Sequence, residues 1–130
     1  MYIYCITHKK LDFIEKLGLI PCGVGQNEYP ENYIQEKNGE NISQKNYNYG
    51  EITFHYWLWK NKLKNNSKND WFGICHYRRF FLNKKIDYKL NDIEDIKPFL
   101  INKPYKNWKN NDVILCEPIS LQNLKKIKII

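Results

Sequence analysis

Residues 71–81, WFGICHYRRFF, place a short apolar run directly before the only two arginines of the chain. The run 71–75 predicts a buried strand, and the motif HYRR at 76–79 follows where that strand ends. Every other basic side chain apart from histidine is lysine. Because guanidinium groups offer planar, bidentate donors to phosphate and carboxylate oxygens, the adjacent arginines indicate a site in which that geometry matters.

Two interpretations of Arg78 and Arg79 are open on this pattern. Either they bind an anionic ligand, or they form ion pairs with acidic residues that hold the domain together. Neighbouring residues of an extended segment point to opposite sides, so one arginine can face a ligand while the other supports the structure. His76 is a candidate general acid or base, metal ligand, or donor to a phosphate oxygen, although a lone histidine is often a packed core residue.

Further apolar runs on both sides of this segment predict strands of the same kind. They cover residues 2–7 (YIYCIT), 19–24 (LIPCGV) and 112–116 (DVILC). Helical spacing over 11–17 predicts a helix between the first two strands, and a short helix is expected at 92–100. Strands that are apolar on both faces and alternate with helices predict an α/β fold with a mostly parallel sheet.

Residues 49–63 (YGEITFHYWLWKNKL) fit a strand and a helix almost equally well. Their length favours a helix, and Asn48 with Glu51 resembles a capping box. Helical spacing would align four apolar side chains in one stripe, namely Ile52, Tyr56, Trp59 and Leu63. The polar stretches 26–44 and 64–70 are predicted to be loops, and the chain from 121 onward is predicted to begin a helix.

The chain of 130 residues is expected to form one domain, residues 1–130, with a net charge of +7. That charge favours an anionic partner, such as nucleic acid, a phosphorylated metabolite or an anionic lipid surface, and a solvated lysine surface explains it equally well. No apolar run approaches 18 residues, so no membrane span is predicted. The first residues do not resemble a signal peptide, and the protein is expected in the cytoplasm.

The four cysteines, at positions 5, 22, 75 and 116, form no C-x-x-C pair. Most of them lie inside apolar runs. They are therefore predicted to be buried, reduced thiols rather than a zinc site or disulfides.

Ligands of parallel sheets bind beyond the carboxyl ends of the strands, so polar residues at those ends are the candidates for a site. They are His8 and Lys9, Gly23 and Gly25, residues 76–79, and Glu117. Gly23-Val24-Gly25 does not match a dinucleotide fingerprint, but it predicts a tight turn beside a ligand. The block 41–51 (NISQKNYNYGE) is rich in amides and hydroxyls ahead of a helix, which suits sugar or phosphate as well as ordinary capping.

Four segments in order resemble a family of bacterial proteins known as a domain of unknown function in capsular and lipopolysaccharide gene clusters. They are IYCITHK (3–9), GVGQN (23–27), NISQKNYNYGEITFHYWLWKN (41–61) and WFGICHYRRFF (71–81), and DVILCEP (112–118) resembles a fifth. Members are regarded as glycosyltransferases, including galactofuranosyltransferases, with a Rossmann-like fold of the GT-A type. They are longer than this chain, so the chain is expected to correspond to the amino-terminal, nucleotide-sugar-binding half of an incomplete domain.

The resemblance implies a donor such as a UDP-sugar and a glycan or lipid-linked glycan acceptor, with no nucleic acid and with possible association at the inner membrane face. Arg78 and Arg79 would stabilise the leaving diphosphate, and His76 would orient phosphate or acceptor. The residues expected to bind the donor are Thr7, His8, Lys9, Gly23, Gly25, Asn41, Ser43, Lys45, Asn46 and Tyr77. An inverting transfer also needs a carboxylate base, for which Glu117 is one candidate and a residue in the other half of the domain is the alternative. No metal ligand is predicted; Mg²⁺ or Mn²⁺ is compatible with such chemistry, but the chain has no D-x-D triplet.

Two rival hypotheses remain. The charge and the abundant aromatic residues suit a nucleic-acid-binding module, although the aromatics lie in apolar runs rather than among basic residues. A truncated, inactive glycosyltransferase remnant is the other.

Overall fold

The computed structural model describes residues 1–63 and 70–117. The loop predicted at 64–70, apart from Asp70, and the helix predicted from 121 lie outside the described residues. The described chain forms a parallel sheet in the order β3-β2-β1-β4. Its strands are β1 (Tyr2–Thr7), β2 (Ile20–Gly23), β3 (Ile34–Gln35) and β4 (Phe72–His76). The α/β fold and the strands predicted from residues 2–7, 19–24 and 71–75 are confirmed.

Strand β1 lies at the centre of the sheet and pairs in parallel with β2 on one side and β4 on the other. Tyr4 is opposite Ile20 in β2 and Ile74 in β4, and Cys5 is opposite Cys75. This position explains the uninterrupted apolar sequence of β1, because a central parallel strand is covered on both faces.

Helical segments cover both faces of the sheet. They are α1 (Phe13–Lys16), α2 (Asn46–Tyr49), α3 (Ile52–Asn61) and three 3₁₀ segments at Ser43–Lys45, Ile93–Phe99 and Lys106–Trp108. On one face, α1 and the segment Ile93–Phe99 pack over Ile3, Cys5 and Cys75. On the other face, α3 packs over Tyr4 and Ile6. The helices predicted at 11–17 and 92–100 are thus confirmed in shortened form, the second as a 3₁₀ helix.

Helix α3 is confirmed, but the stripe that helical spacing aligns is not its buried face. Its buried side chains are Thr53, Phe54, Trp57 and Leu58, whereas Ile52 is 63% exposed and Trp59 is 52% exposed. The helix is aromatic on several sides, so hydrophobic spacing alone does not determine which side meets the sheet.

The expected capping box of α3 does not form, because Glu51 occupies the N-cap position and makes no side-chain capping bond. Instead, the chain turns at Gly50 with a φ of +54°. The amide of Asn46 donates to the Gly50 carbonyl at 2.8 Å and to Thr53 Oγ1 at 2.8 Å. These bonds fix the start of α3 from the preceding helix.

The strand predicted at 112–116 is wrong, and so is the expected burial of Cys116. These residues form no strand, Val113 is 69% exposed, Leu115 is 83% exposed and Cys116 is exposed. A strand needs a hydrogen-bonding neighbour, and in the described residues none pairs with this run. The other three cysteines, Cys5, Cys22 and Cys75, are buried free thiols as predicted.

The stretch 26–44, predicted to be a polar loop, contributes to the core. It contains β3 and the buried side chains of Tyr29, Tyr33 and Glu36. Glu36 is fully buried, accepting a hydrogen bond from the Gly25 amide at 2.6 Å and another from the Thr53 hydroxyl at 2.7 Å. This carboxylate joins the turn after β2 to the first turn of α3.

Burial raises the pKa of Glu36, against the opposing effect of its two hydrogen bonds. We expect Glu36→Ala to lower the free energy of unfolding by about 2–4 kcal/mol, because it leaves the Gly25 amide and the Thr53 hydroxyl without this partner. Glu36→Gln keeps an acceptor for Gly25, and its amide can donate to Thr53. The change for Glu36→Gln is therefore expected to be within about 1 kcal/mol at acidic pH.

The pH dependence gives a further test of Glu36 by urea unfolding. A raised folded-state pKa means that the folded chain holds this proton more tightly than the unfolded chain. The stability that comes from this tighter proton binding is fully present below pH 4.5, the ordinary pKa of a glutamic acid. It is lost as the pH rises through the folded-state pKa. Glu36→Gln should therefore gain stability relative to wild type between pH 4 and pH 7. An equal difference at both pH values would contradict this assignment.

Candidate functional site

The sheet has a topological switch point between β1 and β4. The chain runs outward from β1 to β2 and β3, then returns across the opposite face through α3 to β4. The strand order therefore reverses between β1 and β4, and ligands of open α/β sheets bind in the crevice beyond the carboxyl ends of the strands at such a point. Thr7 ends β1 and His76 ends β4, so the residues that follow them meet at this crevice.

Three aromatic rings cluster at the switch point. His8 lies edge-on to Tyr77 with ring centroids 5.3 Å apart, and the His8 and His76 centroids are 6.4 Å apart. The Tyr77 hydroxyl approaches His8 Nε2 at 3.5 Å. Sequence alone assigned these residues to two different strand ends, and the structure brings them together.

His76 uses both of its ring nitrogens. Nδ1 accepts a hydrogen bond from the Arg78 amide at 3.2 Å, and Nε2 lies 3.4 Å from a carboxylate oxygen of Glu51. The neutral ring therefore carries its proton on Nε2, because Nδ1 is occupied as an acceptor. Burial lowers the pKa of His76, the Glu51 carboxylate opposes that effect, and the charges of Arg78, His8 and Arg79 lower it further.

Arg78 and Arg79 extend from the turn that follows β4, and both are exposed. The Arg79 amide donates to the His76 carbonyl at 2.8 Å, which closes this turn. The Arg78 guanidinium lies over the Tyr77 ring at 5.3 Å from its centroid. Within residues 1–63 and 70–117, neither arginine forms an ion pair with a carboxylate. Among the described residues, Arg78 and Arg79 therefore do not hold the domain together through ion pairs with acidic residues.

The turn after β1 is held by local hydrogen bonds. The Thr7 hydroxyl donates to the Lys9 carbonyl at 2.8 Å and accepts from the Lys9 amide at 2.9 Å. Gly23, at the end of β2, lies under the Tyr29 ring, and a Cβ at this position would overlap that ring. The Tyr29 hydroxyl bonds to the Thr7 and Val24 carbonyls at 3.2 and 3.0 Å. Thr7 and Gly23 therefore shape the edge of the crevice from within.

The block 41–46 packs against the turn after β2. Gly25 adopts a φ of +77°, and a Cβ there would lie 3.4 Å from Asn46 Oδ1. Ser43 donates to Asn41 Oδ1 at 2.7 Å and accepts from Gln26 Nε2 at 2.7 Å. Lys45 is exposed on the same segment. These residues therefore lie beside the turn after β2, with the amides of Asn41 and Asn46 already engaged in internal hydrogen bonds.

Glu117 is not brought to the switch point. It lines a large open cavity of about 1330 Å³ that extends along Trp71 and Phe72, at the beginning of β4. Glu51 is the carboxylate that contacts His76 instead. The sequence analysis singled out Glu51 only as part of a capping box and of the block 41–51, and it did not identify Glu36 or Tyr29. The signal that could have placed Glu51 at the site is its position just before a helix that returns to the sheet.

The described residues gather no group of three His, Cys, Asp or Glu side chains that could hold a metal ion. His76 and Glu51 approach each other, but these two side chains alone do not form such a group.

Comparison with known proteins defines the class. Residues 2–128 match the family called "Domain of unknown function (DUF4422)", and the chain belongs to that family. No curated protein matches the chain. A solved structure that is similar is apo WbbM, a bifunctional glycosyltransferase, at 37% sequence identity and a TM-score of 0.50. The match covers 64% of this chain and 14% of the WbbM chain, so this protein is related to a small part of that glycosyltransferase.

Membrane insertion through a helix has no support in the part of the chain that is described, since no helix there is both long and apolar enough to cross a bilayer.

The contact between His76 and Glu51 predicts a titration behaviour. The pKa of His76 should lie below 6.5, mainly because of burial, and Glu51→Gln should lower it further by removing the nearby negative charge. Imidazole ¹⁵N chemical shifts followed over pH measure this value. Glu28→Gln is the matched control, because Glu28 pairs with Lys37. A His76 pKa that is unchanged in Glu51→Gln would show that the two side chains do not interact in solution.

Proposed function

We propose that this chain is the nucleotide-sugar-binding part of a glycosyltransferase that moves a sugar from a UDP-sugar to a surface glycan. The observation that carries the proposal is the position of Arg78 and Arg79. They are exposed at the switch point of a parallel sheet and have no carboxylate partner among the described residues. Membership of the family and the similarity to WbbM support the same reaction class.

In this proposal the two guanidinium groups bind the diphosphate of the donor. When the bond between the sugar and the diphosphate breaks, negative charge grows on the leaving phosphate oxygens. Fixed cationic donors stabilise that charge more strongly than the charge of the bound donor, so they lower the barrier. Stacking on Tyr77 limits the freedom of the Arg78 side chain, which reduces the entropy lost when it binds phosphate.

The other predicted donor-binding residues have complementary parts. His8 and Tyr77 border the crevice directly, and Lys9, the residue after His8, is an exposed cation. Thr7, Gly23 and Gly25 shape the turns on which the nucleotide would lie. Lys45 supplies a second exposed cation on the block 41–46, while Asn41, Ser43 and Asn46 hold that block in place.

Isothermal titration with UDP tests the proposal. Wild type is expected to bind UDP without added Mg²⁺, and Arg78→Lys and Arg79→Lys, made separately, should weaken binding by about 3- to 10-fold because lysine cannot reproduce the bidentate contact. The two losses are expected to differ, since only Arg78 stacks on Tyr77.

Lys85→Gln is the control for a general loss of positive charge, because Lys85 is exposed and pairs with Asp87. It should leave UDP affinity within about twofold of wild type. UDP binding that neither arginine variant changes would overturn the role of the two arginines. Binding that strictly requires Mg²⁺ would overturn recognition of the diphosphate by the arginines without a metal.

A further inference from the structure

Glu51 places a negative charge next to the proposed anion site. It stands immediately before α3, its side chain is 54% exposed, and its Oε1 lies 3.4 Å from His76 Nε2. The same ring accepts a hydrogen bond from the Arg78 amide through Nδ1 at 3.2 Å. One imidazole ring therefore separates the Glu51 carboxylate from the backbone of the arginine pair.

A carboxylate in this position is unfavourable for a diphosphate by itself. Glu51 and the two arginines all act electrostatically on the His76 ring, so a phosphate bound by the arginines would be repelled by the Glu51 carboxylate. A site built only for phosphate would carry a neutral or cationic group there. The carboxylate instead offers lone pairs to hydrogen-bond donors, and its exposed fraction leaves an oxygen open to a ligand.

The surface next to Glu51 is also suited to a sugar. Tyr49, two positions before Glu51, is 52% exposed, and Ile52, directly after it, is 63% exposed. Sugars present hydroxyl groups at their edges and C–H groups on their faces, so they match a carboxylate beside exposed apolar side chains.

We propose that Glu51, which is held in place by His76, accepts a hydrogen bond from a hydroxyl group of the sugar attached to the diphosphate. This inference rests on the proposed function and assigns the sugar-recognising residue of that site. Arg78 and Arg79 bind the charged part of the donor, and Glu51 binds its neutral part on the other side of the His76 ring. Glu51 therefore distinguishes a UDP-sugar from UDP.

The test compares the dissociation constants of UDP, UDP-galactose and UDP-galactofuranose for wild type, Glu51→Gln and Glu28→Gln. Glu51→Gln keeps the side-chain shape but loses the charge. It should bind UDP about two- to fivefold more tightly, because the repulsion is removed. It should also lose roughly tenfold of the preference for the better UDP-sugar over UDP, because a charge-assisted hydrogen bond is lost.

The two expected effects have opposite signs, so a general loss of folding cannot imitate them. Glu28→Gln removes a carboxylate that pairs with Lys37, and it should change neither the affinity for UDP nor the preference for a UDP-sugar. If wild type binds UDP but prefers neither UDP-sugar, or if Glu51→Gln leaves that preference unchanged, the role of Glu51 is overturned while the proposed function stands. If wild type does not bind UDP, the proposed function fails and the role of Glu51 fails with it.

Discussion

The parallel pairing of β1 with a neighbour on each side is the constraint on which the rest of the structure depends. Because β1 pairs with β2 and β4, both of its faces are covered, and all of its residues except Tyr2 are buried. Its central place also forces the chain to return across the sheet to reach β4. That return creates the switch point, and the strand order brings the first residues after β1 and β4 to one edge of the sheet.

A second constraint connects this edge to the helix that makes the return. Glu36 is buried between the turn at Gly25 and the first turn of α3. Burying a carboxylate is unfavourable unless its oxygens are bonded, and here each oxygen has a donor. The bonds from Gly25 and Thr53 thus position the residue just before α3, Glu51, relative to the strand ends.

Much of the fold was predictable because β1, β2 and β4 are short apolar runs, and such runs predict buried strands. The failures have a common physical cause, which is that a pattern of apolar residues does not name its partner. Residues 112–116 have the composition of a buried strand, yet no described strand pairs with them. Helix α3 is aromatic on several sides, so its spacing did not distinguish the face that meets Tyr4 and Ile6 from the exposed one.

The candidate site was predictable in its residues but not in its contacts. Strand ends identify His8 and His76 from sequence, whereas their proximity follows only from the strand order. Glu51 could not be identified from strand ends, because it directly precedes a helix and reaches the site only after the chain has crossed the sheet.

That crossing has a chemical consequence. A sheet edge made only of strand ends would present cations and backbone donors, which suit phosphate. The helix that returns over the opposite face adds a carboxylate to the same edge, on the far side of the His76 ring from Arg78. The site therefore has a cationic part and an anionic part, and both act electrostatically on the His76 ring. Such a division suits a ligand that is charged at one end and carries hydroxyl groups at the other, and it does not suit a uniformly anionic polymer.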